Sequence, residues 1–223
     1  MGHPAMTILG DLSWPSVDAG RLLVVPLGST EQHGPHLPVS TDTDLAVALA
    51  VGLAAQRADV VVAPALPYGA SGEHAGFPGT LSLGQEALEL VLVELVRSAD
   101  LTAARVLLLN GHGGNLGPVS RAIGRLVAEG RDVRCWSPRW GGDAHAGRTE
   151  TSLQLALGRP VGADRPVGAT APLAQLLPEL ESRGVKVVSA NGVLGDATGA
   201  TAQEGHALLA RALEDLMVFV DSW

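Results

Sequence analysis

The chain has 223 residues, 46% of them hydrophobic and 17% charged, a length and make-up that bury a core without disulfide or metal staples. Fifteen Lys and Arg against twenty-three Asp and Glu leave a formal charge of −8, and only one of the cations is Lys. Without clustered cations to displace counterions, nucleic acid is excluded as the main partner. The single cysteine, Cys135, forbids an internal disulfide and any multi-cysteine zinc site.

The opening residues show no basic stretch followed by an apolar one, which predicts no secretory leader and a cytoplasmic location. Leu22–Leu27, Val60–Ala63, Val106–Leu109 and Val133–Trp136 read as strands. The first three are apolar almost throughout, the pattern of strands covered on both faces by helices. Helical patterns lie between them at 44–56, 84–98 and 116–129, and in the second Leu88, Val91, Leu92, Leu95 and Val96 form an apolar stripe. Glu89 and Glu94 interrupt that helix, which falls short of a bilayer span. Further helices are expected at 150–157, 172–183 and 202–219, with a short strand near Lys186–Ser189 and a loop over 158–171. Strand–helix alternation with short connections predicts an α/β fold with a mainly parallel sheet and right-handed crossovers, in one domain over residues 1–223.

The unusual polar residues follow the strands. GSTEQHGPHLPVSTDTD (28–44), PYGASGEHAGFPGT (67–80) and NGHGGN (110–115) come after the first three, and WGGDAHAGRTE (140–150) comes shortly after the fourth. In an open parallel sheet the carboxyl ends of the strands share one crevice, where ligands bind. Four distant segments should therefore meet at one rim.

Each segment admits two readings. Glu31 and His33 lie on one side of an extended chain, and with Asp42 they offer imidazole and carboxylate donors to a divalent ion. Asp42 is equally suited to capping the helix that follows, and His36, between two prolines, reads as a loop or supporting residue. The glycines of NGHGGN suit a phosphate held by backbone amides, which would make the chain a binding module rather than an enzyme. They suit equally a backbone passing close to an ion, with His112 as ligand and Asn115 capping the helix. The block lacks the Lys-Ser/Thr pair of nucleotide loops and has partners on other loops, which favours the metal reading. Glu150 begins a helix, where a carboxylate is welcome on structural grounds alone. His145 is either a proton carrier reaching the crevice or a solvated loop histidine.

Together these blocks resemble the creatininase family of metal-dependent amidohydrolases. GSTEQHGPHLP followed by TDTD, then GEHAGFPGT, NGHGGN and HAGRTETS, match its signature blocks in order, and LSWP (12–15) is similar to its start. The resemblance implies a three-layer α/β/α fold, two adjacent divalent ions (Zn, Fe or Mn) per subunit and a homo-oligomer, a hexamer or octamer. It places Glu31, Asp42 and His112 on one ion, and His33 with a bridging Asp42 on the other. Creatininase itself has a glutamate where this chain has Gly114, so Glu150 is expected to complete the second site. The active-site histidine of the family falls on His145. The substrate implied is a modified precursor peptide, cleaved before its terminal Val-Tyr dipeptide; the alternative is a small cyclic amide or formamide of the creatinine or formamidopyrimidine type. Gly113 and Gly114 would leave room beside the ions, and Trp136, Trp140 and Phe77 are candidates for an apolar substrate wall.

Overall fold

The computed structural model describes residues 7–223; residues 1–6, on which part of the leader reading rests, lie outside the described residues. Five strands form one parallel sheet: β1 (Thr7–Ile8), β2 (Leu22–Leu27), β3 (Val60–Val62), β4 (Arg105–Asn110) and β5 (Val133–Trp136). Their spatial order is β1–β3–β2–β4–β5, so the chain turns back at β2 to place β3 and turns again at β3 to cross to β4 and β5. The helices are α1 (Thr41–Gln56), α2 (Gln85–Ser98), α3 (Leu116–Ala128), α4 (Arg148–Ala156), α5 (Leu173–Arg183), α6 (Val185–Val188) and α7 (Ala202–Asp221).

The side-chain alternation of the strands builds three layers. Leu23, Val25 and Leu27 of β2, with Val106 and Leu108 of β4, pack against Leu88, Leu92 and Val96 of α2 and Val119, Ala122 and Leu126 of α3. Their neighbours Leu22 and Val24, with Leu107 and Leu109, face Leu49 and Leu53 of α1 and Ala212, Leu216 and Val220 of α7. A period-2 strand that is apolar at every position has two buried faces, and both are covered here. This is the three-layer α/β/α fold that the blocks implied. None of the described helices is long and apolar enough to cross a membrane.

Three expectations are corrected. The stretch near Lys186–Ser189, read as a short strand, falls on a helical turn, Val185–Val188, that Ser189 ends. Gly184, at φ 80°, reverses the chain after α5, and a helical turn then sets Val185 and Val188 on the side facing Leu180, Leu194 and Phe77, where a strand would splay them apart. On α2 the buried face is Leu88, Leu92, Val93 and Val96, while Val91 and Leu95 are exposed. Helix α1 begins at Thr41, so Asp42 sits inside its first turn. The two-residue edge strand β1 carried no signal of its own in the sequence.

Candidate metal centre and active site

The site grows out of the carboxyl end of β2. A Cβ at Gly28 would strike Thr43, so only glycine lets this segment lie against α1. Ser29 Oγ then donates to Asp42 Oδ2 at 2.7 Å, and Thr43 Oγ1 donates to the Ser29 carbonyl at 2.9 Å. Asp42 does not cap α1; its carboxylate is turned to the loops. His33 Nε2 lies 3.1 Å from Asp42 Oδ1, and His33 Nδ1 lies 3.1 Å from the Glu31 carbonyl oxygen. From the end of β4, His112 brings Nδ1 to 3.0 Å from Asp42 Oδ2 and Nε2 to 3.3 Å from Glu31 Oε2.

Two compact donor sets result. Glu31, Asp42 and His112 form one, and His33, Asp42 and Glu150 form the other, with the donor atoms of each within 4.8 Å of one another. Asp42 belongs to both. Glu31, His33 and His145 make a third grouping of the same compactness. Both Glu31 carboxylate oxygens are buried and neither accepts a well-aligned hydrogen bond among the described residues, although His74 and His112 imidazole nitrogens stand 3.2 and 3.3 Å away. A buried carboxylate left so is costly unless a cation meets it. The mixed imidazole and carboxylate donors are those that Zn, Mn and Fe accept. The residues fit divalent cations.

Supporting contacts hold these donors in place. Glu150 Oε2 accepts the Ala146 N–H at 2.6 Å and lies 3.9 Å from His33 Nε2, so it steadies the start of α4 and faces the site at once. Ala146 is the one non-glycine residue at positive φ among the described residues, and that contact holds it there. Asn115 does not cap α3. Its amide nitrogen donates to the Gly28 carbonyl at 3.0 Å and its oxygen accepts the Ala70 N–H at 2.9 Å, stapling three rim loops together. His36 is buried away from the donor sets, with Nε2 2.9 Å from Thr151 Oγ1.

The same rim holds residues to which the sequence reading gave no role. His74 Nε2 lies 3.2 Å from Glu31 Oε1, and Glu73 Oε1 lies 3.5 Å from His112 Nε2. Gln32 Nε2 stands 2.9 Å from His74 Nδ1 and 3.1 Å from His145 Nε2. His145 Nε2 is also 2.8 Å from the Gln32 carbonyl oxygen. The usable signal was the GEH triplet itself, an acid and an imidazole in a block already placed at the rim.

A model of the family described as creatinine amidohydrolase matches residues 10–220. The chain belongs to the creatininase family. It is 49% identical over 241 residues to the mycofactocin precursor peptide peptidase of Mycobacterium tuberculosis strain H37Rv, covering 99% of this chain and 94% of that protein. Among solved structures, a creatininase mutant described as Zn-Zn type shares 25% identity with a TM-score of 0.81, covering 96% of this chain and 97% of its own. A creatininase described with Mn shares 26% identity with a TM-score of 0.80, covering 97% and 98%.

In this creatininase-family centre the charges balance tightly. Burial, aided by Asp42, raises Glu31 to about 7 against the pull of His112 and His33. Burial would lower His33, but Asp42, Glu150 and Glu31 outweigh it and hold it at about 10. His112 stands at about 9 by a similar balance, with Asp42 and Glu31 overcoming burial. Burial, with His33 and His74 beside it, drives His145 well below its usual value and keeps it neutral. Positive charge gathers on His33 and His112, the two imidazoles that the carboxylates touch most closely, and not on His145.

The donors face a cavity of about 850 Å³ whose lining includes Glu31, Asp42, Glu73 and Glu150. With Glu181 five carboxylates line it against the one guanidinium of Arg183, a balance that repels a phosphate and removes the support for the binding-module reading. Gly114 lines this cavity, but the space beside it is filled. A Cβ would run into the Ala70 carbonyl, His112 Nε2 and, at 2.6 Å, Glu73 Oε1. Gly113 has open space. Phe77 packs instead with Leu180, Val185 and Leu194, under the Lys186 ammonium. Trp136 and Trp140 pack against the α1–α7 core, and Trp140 also edges an adjoining cavity of about 380 Å³ that shares Ala144, Leu173 and Leu194 with the larger one.

Proposed function

We propose that this amidohydrolase is a peptidase of mycofactocin biosynthesis that releases the modified C-terminal Val-Tyr dipeptide from the precursor peptide. The observation that carries the reading is the 49% identity, over 99% of the chain, to a protein named for that peptidase activity. A cavity of about 850 Å³ also exceeds what a small cyclic amide needs and suits a peptide end.

Glu31, Asp42 and His112 would hold one divalent ion, and His33, Asp42 and Glu150 the other. Such ions supply Lewis acidity at the scissile carbonyl and acidify water at neutral pH. The rest is done by the chain. Asp42 spans both donor sets because Ser29 fixes one of its oxygens. His145, neutral and anchored by the Gln32 carbonyl, takes the proton of the attacking water and passes it to the departing amide nitrogen. Gly113, with open space beside it, would leave the peptide an approach, and Trp140, which lines the smaller cavity, would meet an aromatic group there. A cytoplasmic homo-oligomer, a hexamer or octamer, belongs to the same reading.

Incubation of metal-loaded enzyme with the modified precursor peptide, with creatinine and with a formamidopyrimidine, followed by mass spectrometry, tests it. Cleavage before the terminal dipeptide is expected, with both small molecules intact. Turnover of either small molecule with the peptide untouched overturns the substrate assignment.

A further inference from the structure

We propose that Gln32 is a positioning residue that fixes where two buried imidazoles carry their protons, so that His74 presents an N–H and His145 a bare nitrogen towards Glu31. The assignment follows from counting donors and acceptors. Gln32 Oε1 accepts the Gly34 N–H at 2.8 Å, and Gln32 Nε2 lies 3.1 Å from the Gly192 carbonyl oxygen. Turning the amide over would set oxygen against oxygen and nitrogen against N–H, so its orientation is determined. Gly192 itself, at φ 80°, lies so close that a Cβ would run into this amide. The side chain is clamped.

The amide has two hydrogens and three neighbours. One hydrogen goes to the Gly192 carbonyl, which can only accept. His145 Nε2 lies 2.8 Å from the Gln32 backbone carbonyl, another group that can only accept, so His145 carries its proton on Nε2 and has no lone pair there for the amide. The second amide hydrogen therefore goes to His74 Nδ1, at 2.9 Å. A nitrogen that accepts bears a lone pair, and a neutral His74 then holds its proton on Nε2, the atom 3.2 Å from Glu31 Oε1. His145, with its proton on Nε2, turns a bare Nδ1 to the same oxygen at 4.0 Å. One residue thus sets a donor and a proton acceptor side by side at the metal centre. The backbone carbonyl of Gln32 governs His145 and its side chain governs His74.

The consequence for turnover rests on the peptidase reading: His145 has a vacant Nδ1 for the water's proton, and the His74 N–H sets a positive dipole 3.2 Å from the Glu31 carboxylate, a close electrostatic contact rather than an aligned hydrogen bond. Outer groups that orient a metal ligand typically matter ~10–100-fold. Long-range proton–nitrogen spectra of the wild-type protein, zinc-loaded and metal-free, report the tautomers directly, with His74→Gln and His145→Gln assigning the signals. His74 and His145 are both expected with the proton on Nε2; a proton on Nδ1 of either overturns the assignment. Gln32→Met keeps the length and the backbone carbonyl while removing the amide. It should release the His74 tautomer, leave that of His145 unchanged and lower kcat ~10–100-fold with KM and bound zinc retained. Unchanged kcat in a folded Gln32→Met protein overturns the positioning role. If that variant does not fold, the wild-type spectra decide alone. Expected tautomers in an enzyme that leaves the peptide intact would count against the peptidase reading and not against the assignment.

Discussion

On the floor of the cavity Glu31, Asp42 and His112 are each 6% exposed or less, whereas on its roof Leu173 and Leu177 of α5 are 46% and 41% exposed. The floor is polar and sealed; the roof is apolar and open. Floor residues hold one another through short contacts between charged groups, and the buried oxygens of Glu31, without an aligned hydrogen bond, are groups that a cation would satisfy. The roof rests on Leu176, Leu180 and Val185 against Phe77 and Leu194, a small apolar cluster apart from the two that flank the sheet. Changes on the floor should therefore alter ions and chemistry, and changes on the roof should alter little besides fit.

The largest expected effect is at the residue that both donor sets share. Asp42→Asn removes a charge from each, and kcat/KM should fall by about 10³-fold or more, with both ions lost by elemental analysis. Retention of two ions per chain would end the bridging role. His145→Ala sharpens the floor into ligands and chemistry: bound metal should stay at the wild-type level while kcat falls ~10²–10⁴-fold. Glu150→Gln keeps the Ala146 contact within reach and removes charge from one donor set only. One ion should be lost and the other kept, read by anomalous scattering or metal analysis of the purified variant; full occupancy would remove Glu150 from the site.

A pH series on chelator-treated protein tests the floor's demand for positive charge. His33 at about 10 and His112 at about 9 lie above the ~6.5 of an unfolded histidine. Their contribution is complete below that value and is lost as pH rises through the folded ones. Glu31, raised from 4.5 to about 7, acts in the same direction but loses its contribution between those two values, before this window opens. The metal-free protein should therefore lose melting temperature between pH 7 and 10, measured by calorimetry, and the metal-loaded protein should lose much less. Equal slopes in the two forms would contradict a cation at these donors. The smallest effect belongs to the roof. Leu177→Ala should change stability by under ~0.5 kcal/mol, as exposed substitutions do, whereas Leu180→Ala, buried in the roof cluster, should cost ~2–3 kcal/mol by chemical denaturation.

The amino-acid sequence by itself determined the sheet and the rim. Leu22–Leu27 is apolar at every position, and a strand with two apolar faces has to be covered twice. The histidine and acid blocks after the strands then had to share one crevice, because parallel strands end on the same side. These properties are local or follow from topology, and a sequence carries both. Only the tertiary structure decided which side chains of those loops meet. Glu73 and His74 reach the donors because Gly114 admits the 70–74 segment, and Phe77, three residues further on, turns away into the roof cluster. Asn115 became a staple between loops rather than a cap because two other loops close over it. Val185–Val188 became a helical turn because Leu180, Leu194 and Phe77 offered a buried patch on one side only. In each case the deciding energy comes from a neighbour distant in sequence, to which local pattern and propensity are blind.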